Sequence, residues 1–326
     1  MFISLLPWLI SPYEKFILKR KKKLANKNIL IKSEVELGAK FLLWQISRLI
    51  LCKNNKHNNI CDKCYECNLM KLKNHPDFYY INSKKIGIEE IKELKLKIFI
   101  KPQINQNKII WLSNIENISE YGINSLLKIL EEPPTNVWFL MYHEGSTEIT
   151  KTLNSRCIKY LLKTPAEKTS LMWLKTKNNY TKYTNLTALR LNNNSPILAK
   201  KFLDSFFMKE KNNLFKILNY SINELNLMNL LPLMQKNNTI IKINWIYILL
   251  LDAIKLKNQI NEYLINLDNL NLIKKLSMKY SYEKLFFSIK FWIKCKKRII
   301  KIKGINYQLI LTEQLLKWEE ILDFKQ

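Results

Sequence analysis

The chain has 326 residues, and its 54 lysines and arginines against 27 aspartates and glutamates give a formal net charge of +27. This length accommodates two or three domains with separate cores, and only five glycines and nine prolines argue against a loop-rich or disordered chain. No apolar run approaches the length of a bilayer span, so we expect a soluble protein. The charge favours a polyanionic partner; drift towards A/T-rich codons, which Lys, Asn and Ile share, is the open alternative.

The apolar opening MFISLLPWLI has the length of a signal-peptide core. No basic segment precedes it and no small-residue cleavage site follows it, so we expect these residues to belong to the mature protein. A basic run, KRKKK, occupies residues 19–23. It has the same two interpretations as the whole charge, contact with a polyanion or a solvated surface enriched by drift.

Short apolar runs alternate with helical patterns through the first half of the chain. Each run is rich in branched or aromatic residues and has polar segments on both sides, which is typical of buried strands. The predicted strands are residues 29–31, 78–81, 109–112, 137–142 and 158–161. The predicted helices between them are residues 41–51, 88–98 and 123–130. This alternation predicts a parallel sheet covered by helices on both faces.

The turn after the first predicted strand is where an α/β domain would bind a phosphate against helix amides. A working phosphate loop has the pattern GxxxxGK[ST], in which the lysine reaches the phosphates and the hydroxyl holds Mg²⁺. Here the turn begins at Ser33 and keeps only the second glycine, Gly38, while Ala39 replaces the lysine and Lys40 replaces the hydroxyl. The turn therefore predicts that the chain does not hydrolyse ATP. A fold unrelated to nucleotide binding is the open alternative.

Four of the six cysteines, Cys52, Cys61, Cys64 and Cys67, lie within sixteen residues in the spacing Cx8CxxCxxC. Zn²⁺ takes four thiolates at about 2.3 Å, and a CxxC step turns two of them onto one ion. Cysteines spaced this closely do not fit a disulfide framework, which leaves free thiols on a short helix as the alternative. Thiolates persist in a reducing compartment, so the cluster favours the cytosol. We predict a structural Zn²⁺ site.

The third predicted strand is followed by Ser113 and Asn114. A nucleotide hydrolase carries metal-binding and water-activating carboxylates at this position, and neither of these side chains can act as a general base. This second departure again predicts that the chain does not hydrolyse ATP.

An apolar stripe with helical spacing runs along residues 123–130 and predicts ordinary core packing. The sequence EEPP at residues 131–134 then ends the helix, because a residue before proline is pushed out of the α region. Strand signals stop after residue 162, and the rest of the chain has helical patterns that are clearest at 245–254 and 307–322. Thr164 and Pro165 are the expected hinge.

Several short motifs occur in a fixed order along the chain. They are PWL at 7–9, the cysteine cluster, HPD at 75–77, IGI at 86–88, NSLLK at 124–128, LEEPP at 130–134, SRC at 155–157, Trp245 with LLDA at 250–253, and GIN at 304–306. Together they resemble the delta-prime family of bacterial DNA polymerase III clamp-loader subunits, of the AAA+ class. The LEEPP and SRC pair is specific to clamp-loader subunits, and the degraded phosphate loop separates delta-prime from the subunits that hydrolyse ATP. The polar loops depart from the family towards Asn and Lys.

The resemblance implies an AAA+ (P-loop NTPase-like) α/β domain at residues 1–164, with a zinc-binding module at 52–67. It further implies a small helical lid domain at 165–206. An all-α collar domain at 207–326 would join five subunits into a ring.

The function that the resemblance implies is that of a subunit that binds no ATP and helps to load the beta sliding clamp onto primed DNA during chromosome replication. Its partners would be the delta and gamma or tau subunits in a hetero-pentameric ring, with no membrane partner, in the cytoplasmic, nucleoid-associated replisome. Arg156 of the SRC motif matches the family's arginine finger. It would reach the γ-phosphate of ATP bound by the neighbouring gamma or tau subunit and neutralise developing charge. Glu131 and Glu132 would lie near the subunit boundary.

No intrinsic catalytic activity is expected, although the holoenzyme of this family is a DNA-directed DNA polymerase, a nucleotidyltransferase. Three alternatives remain: an ATP-hydrolysing gamma-type subunit, a zinc-ribbon nucleic-acid-binding protein, and, for Arg156, a plain solvated arginine. Cys157 is expected to pack in a core or an interface, and His57 and His75 to have surface or capping roles. No functional role is expected for Cys295.

Overall fold

The structure is a computed structural model that describes residues 6–21, 27–34, 36–55, 59–81, 88–145, 151–235, 238–302, 304 and 306–324. His57, Ile305, residues 22–23 of the basic run and residues 86–87 of the IGI motif lie outside these ranges. Contacts within the chain divide it into two compact units, Met1–Thr169 and Ser170–Gln326.

The first unit is built on a parallel sheet of five strands in the order β2-β3-β4-β1-β5. Its strands are β1 (Asn28–Ser33), β2 (Phe78–Ile81), β3 (Lys108–Leu112), β4 (Val137–Glu144) and β5 (Ile158–Leu162). The predicted parallel sheet is confirmed, and each predicted strand lies within an observed one. In open α/β sheets, ligands bind beyond the carboxyl ends of the strands, where the strand order reverses. Here that position lies beyond the carboxyl ends of β1 and β4, with the end of β3 next to it.

Helices cover both faces of this sheet, as the alternating pattern predicts. Ile29 and Ile31 of β1 pack in one buried cluster with the first two helices of the unit, and Leu30 packs in another with the fourth and fifth. Successive residues of a strand point to opposite faces, so a fully apolar strand fills both layers. The helices are α1 (Ile10–Lys21), α2 (Ala39–Leu51), α3 (Tyr65–Lys71), α4 (Ile88–Phe99), α5 (Glu120–Glu131) and α6 (Lys151–Ser155).

The sequence patterns do not indicate α1. Its buried residues are Tyr13 and Phe16, and the lysines around them obscure the helical spacing. The Phe16 ring meets Trp138 of β4 edge-to-face, with ring centroids 6.1 Å apart. The aromatic contact thus attaches a highly charged helix to the sheet.

Helices are the only regular elements among the described residues of the second unit, as predicted. One buried cluster runs through it, and at its centre the rings of Trp292 and Trp318 meet edge-to-face with centroids 5.2 Å apart. Within the described part of the chain, no helix has both the length and the apolarity to cross a membrane. The remaining helices are α7 (Glu167–Lys175), α8 (Lys182–Leu191), α9 (Pro196–Asp204), α10 (Phe207–Asn223), α11 (Leu231–Gln235), α12 (Thr239–Lys257), α13 (Leu270–Lys279), α14 (Tyr282–Lys301) and α15 (Tyr307–Ile321).

The boundary between the two units falls within α7, shortly after the expected hinge. Phe202 and Trp245, on opposite sides of the predicted lid and collar boundary at 206, belong to the same buried cluster and meet edge-to-face. The division of the helical half into a lid and a collar stays a prediction.

Candidate functional site

The four cysteines of the predicted zinc site come together between α2 and α3. Their Sγ atoms all lie within 4.8 Å of one another. The Sγ of Cys52 is 3.5 Å from that of Cys61 and 4.0 Å from that of Cys64. The Sγ atoms of Cys61 and Cys67 are 3.9 Å apart. Four thiolates at about 2.3 Å from one Zn²⁺ lie roughly 3.8 Å from each other in a tetrahedron, so the cluster fits the ion.

Backbone amides of the same segment point at the sulfurs. The N–H of Cys64 donates to the Sγ of Cys61 at 3.4 Å, and the N–H of Cys67 donates to the Sγ of Cys64 at 3.4 Å. The second bond is also the N-cap of α3, since the Cys64 side chain accepts from the first turn of the helix. Amide donors stabilise a thiolate over a thiol. The turn that begins the helix therefore also favours the thiolate form that a metal ion would bind.

The thiol pKa values differ strongly across the cluster. Burial raises the pKa of Cys52 to about 11 and raises that of Cys67 well above its usual range. Burial also acts to raise the pKa of Cys61, but hydrogen bonds from the amides of Lys63 and Cys64 outweigh it and the pKa falls to about 6. Two buried thiols thus resist ionisation, and a divalent cation bound here would supply the charge that makes them thiolates.

Polar contacts fix the connection between Cys61 and Cys64. The Arg48 side chain of α2 forms a close ion pair with Asp62. The ammonium of Lys71 in α3 donates to the backbone carbonyl of Asp62 at 2.7 Å. Asp62 adopts a positive φ of 60°. Both flanking helices therefore hold the residue at which this connection turns.

Asp77 of the HPD motif organises a second loop beside the cysteines. Its carboxylate is fully buried and accepts the backbone N–H groups of Gln103 at 2.6 Å, Ile104 at 3.0 Å and Asn105 at 2.9 Å. The Asn105 side chain then donates to the carbonyl of Leu51 at 2.6 Å, one residue before Cys52 of the cluster. Asp77 is thus linked through the 103–105 loop to the end of α2.

The degenerate phosphate loop joins β1 to α2. Gly38 precedes the helix with a φ of +88°, a conformation that favours glycine. Ala39 begins the helix and is buried, so no cationic side chain extends from the lysine position. The Lys40 ammonium lies 5.4 Å from the centroid of the Tyr142 ring. This geometry provides the helix amides of a phosphate loop without its charged and metal-binding groups.

Protein groups also contact the loop where a phosphate would approach. The N–H of Glu36 donates to the carboxylate of Glu144 at 3.2 Å. The Trp8 indole donates to the carbonyl of Leu37 at 2.9 Å, which ties the PWL motif to the loop. Burial, with a hydrogen bond to Glu144, raises the pKa of Tyr142. The Glu144 carboxylate therefore accepts a hydrogen bond from a loop amide that, in a working phosphate loop, would donate to a phosphate.

The ends of β3 and β4 carry polar groups that the sequence interpretation only partly identified. Ser113 is buried, and its hydroxyl is 3.5 Å from the Asn114 side chain. The buried His143 near the end of β4 lies 3.2 Å from the carboxylate of Glu116. The sequence patterns do not identify the His143–Glu116 pair. The switch from an apolar run to His143 and Glu144 was the available signal.

Arg156 lies in the turn between α6 and β5. Its guanidinium forms a close ion pair with Glu131, the first glutamate of LEEPP, and donates to the carbonyl of Thr152 at 3.0 Å. Its side chain is 28% exposed, so it is neither buried nor a freely solvated arginine. The structure thus brings the LEEPP and SRC motifs into direct contact.

The remaining histidine and cysteines that the sequence suggested, His75, Cys157 and Cys295, pack within the fold outside the cysteine cluster. The His75 ring is buried and accepts the N–H of Asp77 at 3.1 Å, a capping contact apart from the cysteine cluster. Cys157 packs against the cluster of α4 and α5, and burial raises its pKa to about 12. Cys295 is buried in the second unit.

The fold and this site together define a class: a parallel α/β domain with a four-cysteine cluster that could hold zinc and a phosphate loop without its lysine, followed by a helical region. A family model described as "DNA polymerase III, delta subunit" matches residues 11–166. A second, "DNA polymerase III, delta subunit, C terminal", matches residues 205–320.

Curated relatives identify the family within this class. The chain is 44% identical to DNA polymerase III subunit delta' of Buchnera aphidicola subsp. Schizaphis graminum, and the alignment covers 98% of each of the two chains. The delta' subunit of Buchnera aphidicola subsp. Acyrthosiphon pisum is 41% identical over 99% of this chain and all of its own, and that of Escherichia coli K12 is 26% identical over 97% and 96%. The chain belongs to the DNA polymerase III subunit delta' family. This membership connects it with DNA replication.

Proposed function

We propose that this protein is the subunit of a clamp loader that does not hydrolyse ATP and completes the ATPase site of a neighbour. Its partners are the delta and gamma or tau subunits in a hetero-pentameric ring, which loads the beta sliding clamp onto primed DNA. The observation that carries the proposal is the phosphate loop, in which Ala39 replaces the lysine and Glu144 bonds the amide of Glu36. Without the lysine and the metal-binding hydroxyl, the loop lacks the groups that hold Mg-ATP.

Arg156 is the residue proposed to act in trans. Its planar guanidinium suits bidentate contact with phosphate oxygens, and an arginine finger neutralises charge on the phosphoryl group in the transition state. The partial exposure of the side chain and its place in the SRC motif support this role. The chain itself then needs no general base, in agreement with Ser113 and Asn114 after β3.

The zinc site is proposed to be structural. Four thiolates fill a tetrahedral shell, so the cluster leaves no coordination position for water or substrate. The cluster packs at the end of α2 and the start of α3, and binding energy there contributes to folding. The proposed location is the cytoplasm, within the nucleoid-associated replisome.

Replacing Arg156 with alanine tests the trans role. In the complex reconstituted with delta and gamma subunits, Arg156→Ala should leave ring assembly intact and lower ATP turnover about 10³-fold at the site that it completes. The measurement is steady-state ATP hydrolysis in the presence of the beta clamp and primed DNA, with assembly followed by size-exclusion chromatography.

Lys159→Ala is the matched control, because it removes one positive charge from an exposed residue of the adjacent strand β5. It should change turnover less than twofold. Normal turnover by the Arg156→Ala complex would remove the finger assignment. Appreciable binding of Mg-ATP by the isolated chain would instead favour a gamma-type, ATP-binding subunit.

A further inference from the structure

The Glu131–Arg156 ion pair joins two motifs that are 25 residues apart in the chain. One terminal nitrogen of the guanidinium donates to the Glu131 carboxylate. The other donates to the Thr152 carbonyl at 3.0 Å and lies 3.5 Å from the Ser155 hydroxyl. Acceptors from α5 and α6 therefore fix the plane of the guanidinium from two directions.

One buried amide holds the backbone on both sides of this pair. Asn28, at the start of β1, is fully buried. Its Nδ2 donates to the carbonyl of Leu130 at 2.9 Å and to the carbonyl of Arg156 at 3.1 Å. The backbone of Arg156 and the residue directly before Glu131 are thus tied to the same side chain. The relative position of the two charged groups follows from the sheet.

The end of α5 keeps Glu131 in place. Glu131 is the last residue of the helix, and Glu132 leaves the helical region with φ −125° and ψ 72°. The following two prolines prevent the helix from continuing. The backbone of Glu131 is therefore set at a defined helix end, from which its side chain reaches the guanidinium of Arg156.

We infer that Glu131 is a positioning residue for Arg156, an inference that rests on the proposed role of Arg156 in trans. A free arginine side chain loses substantial rotamer freedom when it docks on a phosphate. A guanidinium carries five N–H donors and no acceptor, so protein acceptors can orient it while it also engages a phosphate. Glu131 and the Thr152 carbonyl provide that orientation before the neighbouring subunit arrives, which lowers the entropy lost in the transition state.

The inference makes the hydrogen-bond acceptor, rather than the negative charge, the useful property of Glu131. Glu131→Ala should lower kcat of the reconstituted complex roughly tenfold and change the KM for ATP less than twofold. Glu131→Gln retains an acceptor oxygen in the same place and should restore kcat to within about twofold of the unmodified protein. Steady-state ATP hydrolysis by the complex with the beta clamp and primed DNA gives both constants.

The matched control is Glu120→Ala, which removes an exposed glutamate from the first turn of the same helix, at the end opposite to Glu131, and should leave kcat within about twofold. A double-mutant cycle with Arg156→Ala distinguishes an effect that acts through the position of Arg156 from a loss of folding or assembly. Once Arg156 is absent, Glu131→Ala should have no additional effect on kcat. Urea unfolding of each variant should show that the half-exposed Glu131 position tolerates both substitutions.

Three results would overturn the inference while leaving the trans role intact. These are a normal kcat for Glu131→Ala where Arg156→Ala is slow, an equal loss for Glu131→Ala with and without Arg156, and a loss for Glu131→Gln as large as that for Glu131→Ala. A normal kcat for Arg156→Ala has a different meaning. It would remove the proposed trans role, and the inference with it.

Discussion

Individual lysines in this chain show why composition says little about function. Lys211 is fully buried in the second unit, and its ammonium is 2.8 Å from the Asp268 carboxylate, which also contacts Thr187. Burial lowers the pKa of Lys211, while Asp268 acts in the opposite direction. Lys108 is buried as well and donates to the carbonyl of Lys97 at 2.6 Å, near the end of α4. The charge excess therefore includes structural lysines that no partner can reach.

Cys295 gives a pH-dependent contribution to stability. Burial raises the pKa of this thiol to about 11, whereas an unfolded cysteine has its ordinary value of 9.0. Between these values the folded protein keeps the proton that the unfolded chain releases. Stability should therefore be intact below pH 9 and fall by up to about 1.4 kcal/mol per pH unit as pH rises towards 11.

Urea unfolding at pH 8 and pH 10 measures this effect, with Cys295→Ala as the comparison. The variant loses some packing at both pH values, but its stability should decrease less between them than that of the unmodified protein. Equal decreases for the two proteins would show that the thiol does not titrate in this way.

At the level of elements, the carboxylate of Asp77 holds the loop at residues 103–105 through hydrogen bonds to its backbone amides. Removing the carboxylate with Asp77→Ala leaves three backbone amides at 103–105 without their acceptor. We expect the free energy of unfolding to fall by about 2–4 kcal/mol, since hydrogen bonds to a charged group are among the strongest. Urea denaturation measures the change, and hydrogen exchange should increase in the 103–105 loop.

Asp204→Ala is the control for that change. Asp204 pairs with Lys200 one helical turn away on an exposed surface at 3.1 Å, and such pairs contribute about 0–1 kcal/mol. Its removal should therefore have little effect. A loss for Asp77→Ala no larger than that for Asp204→Ala would contradict the role assigned to the HPD motif.

The elements differ in how far the sequence predicts them. β3 and β4 are apolar on both faces, so they are recognisable as buried strands from composition alone. The helix α5 is predicted by its apolar spacing and its EEPP stop, and Ser119 caps its start by accepting the N–H of Gly122 at 3.2 Å. The helix α1 escapes prediction because a few aromatic contacts with the sheet stabilise it, and such contacts are not visible as a periodic pattern.

At the scale of the molecule, the two units have separate cores and the four-cysteine cluster, the proposed zinc site, belongs to the first. Zinc removal by a chelator should therefore destabilise the first unit by at least about 3 kcal/mol, because binding energy of a structural ion is folding energy. Hydrogen exchange should increase in α2 and α3 and stay unchanged in α12. Metal analysis should give one zinc per chain.

Substitution separates the ligands from the other cysteines. Cys61→Ser and Cys64→Ser should reproduce the effect of chelation, and Cys157→Ala should retain the zinc. A chain that binds no zinc, or whose first unit is equally stable without it, would contradict the structural role. DNA affinity that falls steeply with salt and disappears in the Cys61→Ser and Cys64→Ser variants would instead favour a zinc-ribbon nucleic-acid binder.

Residue types and local spacing alone predict the parallel α/β sheet, the helical second half, the four cysteines that come together and the loss of the phosphate-loop lysine. Each of these features depends on residue type and local spacing. The repeat of apolar residues indicates strands and helices, the spacing of the cysteines indicates a thiolate cluster, and the replaced lysine is visible in the sequence. Three contacts become visible only in the folded chain: Glu144 with the phosphate loop, Asp77 with the 103–105 loop beside the cysteines, and Glu131 with Arg156. Each of these contacts joins residues distant in the chain, and the packing of the sheet and its helices brings them together.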